Sequence, residues 1–395
     1  MSGPVTSYID LGLALGRHID GMVDAYYGPP ALAERAGAGA PVPPARLLED
    51  AGRLLGALDA GETEDGVELE DARRRWLRAQ VIGLQTTARK LTGEAIGYAD
   101  EVELCYGVRP QRVDEELFEQ AHRRLEDVLP GGGDLAERFV AWREAQAVPV
   151  DQLPGAINSL CEDLRDRTAR TFGLPEGEHV DFELVTNQPW SGFNYYLGDL
   201  HSRVAINTDL PVLSTSLGHL VAHEAYPGHH TEHSRKELGL VRGRHWLEES
   251  IFLVGTPQCL MAEGLADLGL ETVMGERPEP LLAEHLRPLG IRYDHEVAAS
   301  VAVAGEELGY VRSNAAFLLH EDGADPDSVA DYVARWSLTS SERAKKSVAF
   351  LMDPTWRAYI TCYIEGFRLC RAYVAGRPAR FEALITEQLL PADLY

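Results

Sequence analysis

Positive charge is scarce in this chain of 395 residues: 37 lysines and arginines stand against 62 aspartates and glutamates, a formal balance of −25 at pH 7. No cluster of basic residues is long enough to follow a phosphate backbone, which argues against nucleic acid and anionic membrane as partners. Cysteine is scarce as well. Cys105, Cys161, Cys259, Cys362 and Cys370 are odd in number and scattered, so they build no disulfide framework and fit reduced, mostly buried thiols. Long apolar runs are missing: none approaches the ~20 residues of a membrane span. The opening MSGPVTSYID lacks the charged start and apolar centre of a secretory signal. A cytoplasmic location is the expectation. No internal repeat or low-complexity segment breaks the chain. What remains is a 45% hydrophobic composition with ample length for a large core.

The pattern is mainly helical. Apolar residues recur at three and four in segments such as PPARLLEDAGRLLGALDA and LEDARRRWLRAQVIGLQTTARKL, which predicts five or six helices up to about residue 172. Breaks are expected at Gly28-Pro29-Pro30, from Gly37 to Pro44, and at Pro130 to Asp134. Between Leu174 and Pro211 the texture turns β-branched. HVDFELVT and SRVAINTD predict short strands, two to four in all, separated by NQPWSGFNYYLGDLH. Helical periodicity resumes after Pro211. The expected organisation is one fold over 1–395, divisible into a helical lobe over 1–173 and a lobe of short strands and further helices over 174–395.

Histidine is concentrated where chemistry would be. Six of the 13, His201, His219, His223, His229, His230 and His233, fall within 33 residues. Among them, LGHLVAHEAYPGHHTEH looks like a zinc-peptidase helix with a stretched motif. In the usual His-Glu-x-x-His arrangement two histidines four apart share a zinc, and the glutamate beside them is the general base. On a regular helix His229 would lie about 9 Å along the axis from His223, too far for two ligands each about 2.1 Å from one zinc. Pro227, however, clashes with the carbonyl of His223 and cannot donate a backbone bond, so the helix must bulge or break there, with Gly228 free to follow. At this level PGHH could equally open a polar turn. The pairs His219/His223 and His229/His233 read more simply as helix-face residues than as ligands.

Forty residues after His223, the segment CLMAEGLADLGLE puts Glu263 and Asp267 one turn apart on one side of an apolar helix. An unpaired charge among Leu260, Met261, Leu265 and Leu268 is costly. A metal at Glu263 and a histidine held by Asp267 account for both, because zinc-bound histidines are commonly oriented by a carboxylate on their other ring nitrogen.

HEAYPGHH (His223 to His230) and AEGLAD (Ala262 to Asp267) carry a resemblance to a bacterial family of unknown function in the gluzincin-like zinc metallopeptidase superfamily. That superfamily includes neurolysin, angiotensin-converting enzyme and the Taq-type carboxypeptidases. Weaker matches are HIDGMVDAYYGPP, YLGDLHSRVAINTD and Tyr363-x-x-Gly366. The chain departs from the family at Glu263-Gly264-Leu265-Ala266, where relatives usually have tryptophan third, and in DPTWRAYITCYIEG. The resemblance implies a large helical metallopeptidase-like fold with a small β-sheet next to the zinc helix. It implies one Zn2+ ion on His223, His229 and Glu263, with His230 as the alternate ligand, Asp267 behind a histidine and Glu224 as catalytic base. Relatives supply an oxyanion donor from C-terminal helices. Tyr363 is the favoured catalytic donor here, with Tyr359, Arg357 and His320 as other candidates.

Two further expectations concern the cleft. SRVAIN could run along the zinc helix as a substrate-binding edge strand, and Asn194, Tyr195 and Tyr196 could line the approach. The expected function is a zinc-dependent hydrolase, a metallopeptidase or amidase acting on a peptide or peptide-like small molecule. The alternative is a non-catalytic metal- or ligand-binding protein on the same scaffold, and Glu224 separates the two because a structural zinc site has no use for a base.

Overall fold

The computed structural model describes residues 3–188 and 190–395. Met1 and Ser2 of the opening segment and Pro189 of NQPWSGFNYYLGDLH lie outside the described residues. Up to residue 172 the chain forms α1 (Pro4–Gly16), β1 (Val23–Tyr26), α2 (Pro30–Gly37), α3 (Pro44–Asp59), α4 (Asp71–Leu91), α5 (Tyr98–Tyr106), α6 (Glu116–Val128), α7 (Leu135–Glu144) and α8 (Leu153–Phe172). Prolines open α1, α2 and α3 at the first turn, where a missing N–H costs nothing. Asp134 caps α7 by accepting from the Glu137 N–H. The three expected breaks fall between helices. There are more helices than the five or six expected, because short ones such as α2 carry too few turns to show a clear period.

A three-stranded sheet follows: β2 (His179–Val185), β3 (Gly192–Gly198) and β4 (His201–Asn207). Its order is β2-β4-β3, with β2 parallel and β3 antiparallel to β4. The expectation for SRVAIN is corrected here. It is the central strand, and the edge is GFNYYLG, which the sequence pattern assigns to a connecting segment. Glycine and asparagine mask the strand character of β3, but its alternation is regular, with Asn194 and Tyr196 buried and Tyr195 turned outward.

The remainder is helical: α9 (Ser214–Glu224), α10 (His229–Lys236), α11 (Pro257–Met274), α12 (Glu279–Leu286), α13 (His295–His320), α14 (Pro326–Trp336), α15 (Ser341–Met352), α16 (Phe367–Val374) and α17 (Pro378–Thr386). Before α11, β5 (Ile251–Leu253) pairs antiparallel with β1. The architecture is mainly α with small sheets. Its axle is α11, buried at every position from Pro257 to Ala266. A helix apolar on all sides is one packed on all sides, and α11 touches α4, α5, α8, α9, α10, α16 and α17. Leu260, Leu265 and Leu268 join the core shared with α5, α6 and α13 to α17, while Leu270 and Met274 join the one beneath α8, α9 and the sheet. Among the described residues no helix is long and apolar enough to cross a membrane.

Candidate metal centre

The stretched motif folds as a break, not a continuous helix. The first helix, α9, ends at Glu224, Ala225 leaves the helical region, the Tyr226–Pro227 peptide is cis, and α10 restarts at His229. The turn is tight. The Gly228 N–H donates to the Ala222 carbonyl at 2.9 Å, and a Cβ on Gly228 would stand 1.9 Å from the His223 carbonyl oxygen. Only glycine fits that approach.

This break brings His229 back over His223. Their Nε2 atoms are 3.1 Å apart, and Glu263 of α11 closes the triangle at 3.4 Å from His223 Nε2 and 3.7 Å from His229 Nε2. Two ligands about 2.1 Å from a zinc at the tetrahedral angle lie about 3.4 Å apart, so the three separations bracket the value a shared ion requires. His223 Nδ1 donates to Asp267 Oδ1 at 2.8 Å, which turns the Nε2 lone pair toward His229 and Glu263. Glu263 accepts from the Tyr359 hydroxyl at 2.8 Å through Oε1, while its Oε2 is buried with no hydrogen-bond partner. Oε2 is the oxygen 3.4 Å from His223 Nε2 and Oε1 the one 3.7 Å from His229 Nε2, and a carboxylate with an orphaned oxygen beside two imidazoles is the donor set of a divalent cation. Zinc fits it.

The electrostatics divide the two histidines: against burial, Asp267 and Glu263, with the charge of Glu224, hold His223 well above its usual range, so a cation bound among these carboxylates would have to displace a proton from its ring. Burial, with help from His223, lowers His229 to about 4 against the pull of Glu263, so its ring stays neutral and its lone pair available. Burial would raise the Asp267 carboxyl, but hydrogen bonds from His219 and His223 outweigh it and hold the group ionised. Glu224, adjoining the triangle, makes no hydrogen bond through its carboxylate among the described residues. Burial pushes it up to about 7, opposed by His223 and reinforced by Glu263 and Asp267. Gly192 of the edge strand gives it room: a Cβ there would lie 3.0 Å from Glu224 Oε1.

Other expected residues sort themselves by contact. His230, the alternate ligand, is turned away from the triangle. It is fully buried, with Nδ1 bonded to Ser202 Oγ at 2.8 Å and Nε2 to Glu178 Oε2 at 2.8 Å, so neither nitrogen is free. His233 stacks on Tyr196 at 4.9 Å. His219 reaches Asp267 at 3.3 Å, sharing the carboxylate that holds His223. Arg357 is spent on Glu101 at 2.6 Å and His320 on the Leu351 carbonyl at 2.7 Å, which removes both as oxyanion donors. Tyr363 packs edge-on against Tyr359 at 5.5 Å and feels the charges of Glu263, Asp267 and Glu224, so it borders the centre. Asn194 does not line the approach but anchors it, donating to the Glu224 carbonyl at 2.6 Å.

Two glycines explain how the tyrosines reach the centre. A Cβ on Gly264 would stand 2.3 Å from the Gly366 carbonyl group, and one on Gly366 would stand 2.5 Å from the Leu260 carbonyl oxygen. Backbone therefore meets backbone where the π-helical turn Cys362–Gly366 crosses α11. A second cluster, His179, Asp181 and His201, lies exposed on the outer face of the sheet, with His201 Nε2 2.9 Å from Asp181.

Sequence reasoning missed two charges beside the centre. Asp24 sits at the irregular step of β1, between Val23 paired with Leu253 and Ala25 paired with Phe252, where a bulge re-aims a side chain. Arg312 of α13 lies beside Tyr363 and Asp267. The signal for Asp24 was an acid inside the short apolar run MVDAYY; Arg312 gave none.

The sequence matches no protein-family profile and no curated protein. Among solved structures, the chain is similar in fold to one from Colwellia psychrerythraea provisionally named a lipoprotein. The TM-score is 0.50 at 15% identity, over 88% of this chain. The match spans 65% of that longer chain, under two-thirds of its length. At that identity the likeness concerns the fold alone.

Proposed function

We propose that this protein is a zinc-dependent hydrolase that cleaves amide bonds in peptides or peptide-like small molecules, as a member of the gluzincin-like group. The observation that carries the reading is the triangle of His223, His229 and Glu263, with the orphaned Glu263 Oε2 pointing into it. Zinc supplies Lewis acidity at such a site, making a water acidic near neutral pH and polarising an amide carbonyl. Glu224 acts as general base. Its buried carboxylate takes a proton from the attacking water and passes it to the leaving amine. Asp267 holds the His223 ring in one tautomer, Tyr359 fixes the Glu263 carboxylate, and Tyr363 donates to the oxygen on which charge develops. The substrate enters beside the edge strand β3. Five free cysteines fit a reducing compartment such as the cytoplasm.

Glu224 separates this reading from a purely metal-binding role. The test is Glu224→Gln: we expect zinc content unchanged and turnover of a short-peptide library down at least ~100-fold, since general-base catalysis contributes roughly 10²–10⁴. Activity equal to the wild type would remove the mechanism.

A further inference from the structure

The outer face of the three-stranded sheet carries a second group of ligand-type side chains that the hydrolase reading leaves unused. His179 opens β2 and His201 opens β4, and the parallel register sets the two directly opposite one another. Neighbouring strands lie about 4.8 Å apart and residues two apart share a face, so Asp181 falls beside both histidines. Strand pairing alone brings the three together.

Their contacts leave donor atoms in place for an ion. The two imidazoles stack with centroids 3.9 Å apart and planes 17° from parallel. His179 Nδ1 donates to the Gly177 carbonyl at 3.3 Å, which leaves the Nε2 lone pair free. A carbonyl on the other ring nitrogen is the outer contact that metal-bound histidines usually make. His201 Nε2 meets Asp181 Oδ2 at 2.9 Å. The register partner of Asp181 is Arg203, the obvious counter-charge, yet its guanidinium lies over the Tyr195 ring at 4.7 Å and reaches Glu183 at 3.4 Å instead. Among the described residues, His201 is thus the one side chain that pairs with Asp181. A plain surface pair of His201 and Asp181 gives the stacked His179 no part.

One donor atom from each of the three residues lies within 4.8 Å of the other two. Ligands about 2.1 Å from a shared zinc stand about 3.4 Å apart, and rotation of the exposed His179 and Asp181 side chains closes the remaining gap. Two imidazoles and one carboxylate suit zinc, nickel or copper(II), and not calcium or magnesium, which take oxygen ligands. Three ligands on a solvated face leave the other positions to water.

We propose that His179, Asp181 and His201 form a second metal site, which takes one divalent ion of the zinc, nickel or copper type on the outer face of the sheet. It shares no residue with His223, His229 and Glu263. The strand β4 separates the two: its inward Ser202 bonds His230, the neighbour of His229. This site goes beyond the hydrolase reading and does not depend on it.

Zinc alone is the probe, titrated calorimetrically into the full chain after chelator treatment. Wild type should bind two ions, Glu263→Ala one, His179→Gln/His201→Gln one, and the three changes together none. The outer substitutions lie on a solvent-facing surface, so the fold persists in each. In the Glu263→Ala background, His179→Gln, Asp181→Asn and His201→Gln taken singly should each weaken the remaining site by at least ~10-fold, the lower end of what even outer partners of a metal ligand cost. Copper(II) on Glu263→Ala should show nitrogen hyperfine coupling from two imidazoles by electron paramagnetic resonance, and from one after His201→Gln. An ion on Glu263→Ala that survives His179→Gln/His201→Gln with unchanged affinity is adventitious and overturns the proposal. If wild type binds a single ion that His179→Gln/His201→Gln abolishes and Glu263→Ala retains, the first centre falls and the outer site stands. If it binds a single ion lost only in Glu263→Ala, the reverse holds.

Discussion

At the scale of single residues, the neighbours His229 and His230 do different work although they are chemically identical. Helix geometry separates them: on α10 they point about 100° apart, one toward His223 and one into the packed layer beneath the sheet. His229→Ala is expected to lose stoichiometric zinc while the fold persists. His230→Ala should keep zinc and lose about 1–3 kcal/mol of stability, because the buried Ser202 hydroxyl would lose its partner and Glu178 one of three, Tyr226 and Arg165 remaining. Zinc stoichiometry alongside urea unfolding checks both, and zinc loss confined to His230→Ala would reverse the assignment. Glu263 and Asp267 divide in the same way. Glu263→Ala leaves two histidines and should not hold the ion, whereas Asp267→Asn keeps all three ligands and should weaken affinity by about 10–100-fold in a chelator competition.

At the scale of elements, the site depends on two places where backbones approach closer than any side chain allows. The α9–α10 break is one. Gly228→Ala places a methyl group against the His223 carbonyl, so relief requires the two helices to part and carries His229 away from His223. The expected result is loss of tight zinc binding together with a lower melting temperature, read by zinc titration and thermal unfolding; wild-type zinc affinity would show that the break tolerates a Cβ. The crossing of Gly264 and Gly366 is the other. It explains why the Tyr-x-x-Gly and Glu-Gly spacings matter as a pair: together they set the height of Tyr359 and Tyr363 over Glu263.

At the scale of the molecule, the centre draws one side chain from each of three mutually contacting helices. His223 comes from α9, His229 from α10 and Glu263 from the central α11, which is packed against helices from both ends of the chain. A metal there ties the two site helices to the axle of the fold. Removing zinc with a chelator should therefore destabilise the protein. At free zinc 100 to 1,000 times Kd the linkage is about 2.7–4.1 kcal/mol. For a chain of this length that is a fall of about 3–5 °C in melting temperature, by the usual entropy per residue. Calorimetry with and without chelator measures it, and an unchanged melting temperature would count against a bound ion at the junction.

What the sequence determined by itself is local. Helical periodicity, proline and glycine punctuation and the cluster of histidines sufficed for a mainly α protein, for the break at Pro227-Gly228 and for the pairing of Glu263 with Asp267, because each depends on residues within a few turns of one another. Edge and centre in the sheet were not legible, since strand order depends on pairing between segments and β3 is rich in glycine, asparagine and aromatic residues. Nor was the loss of Arg357 to Glu101, 256 positions away in the chain. His230 is the clearest case: next to a proposed ligand in sequence, it is taken instead by Ser202 and by Glu178, 52 positions away. Long-range packing decides which side chain finds which partner, and no local pattern encodes that.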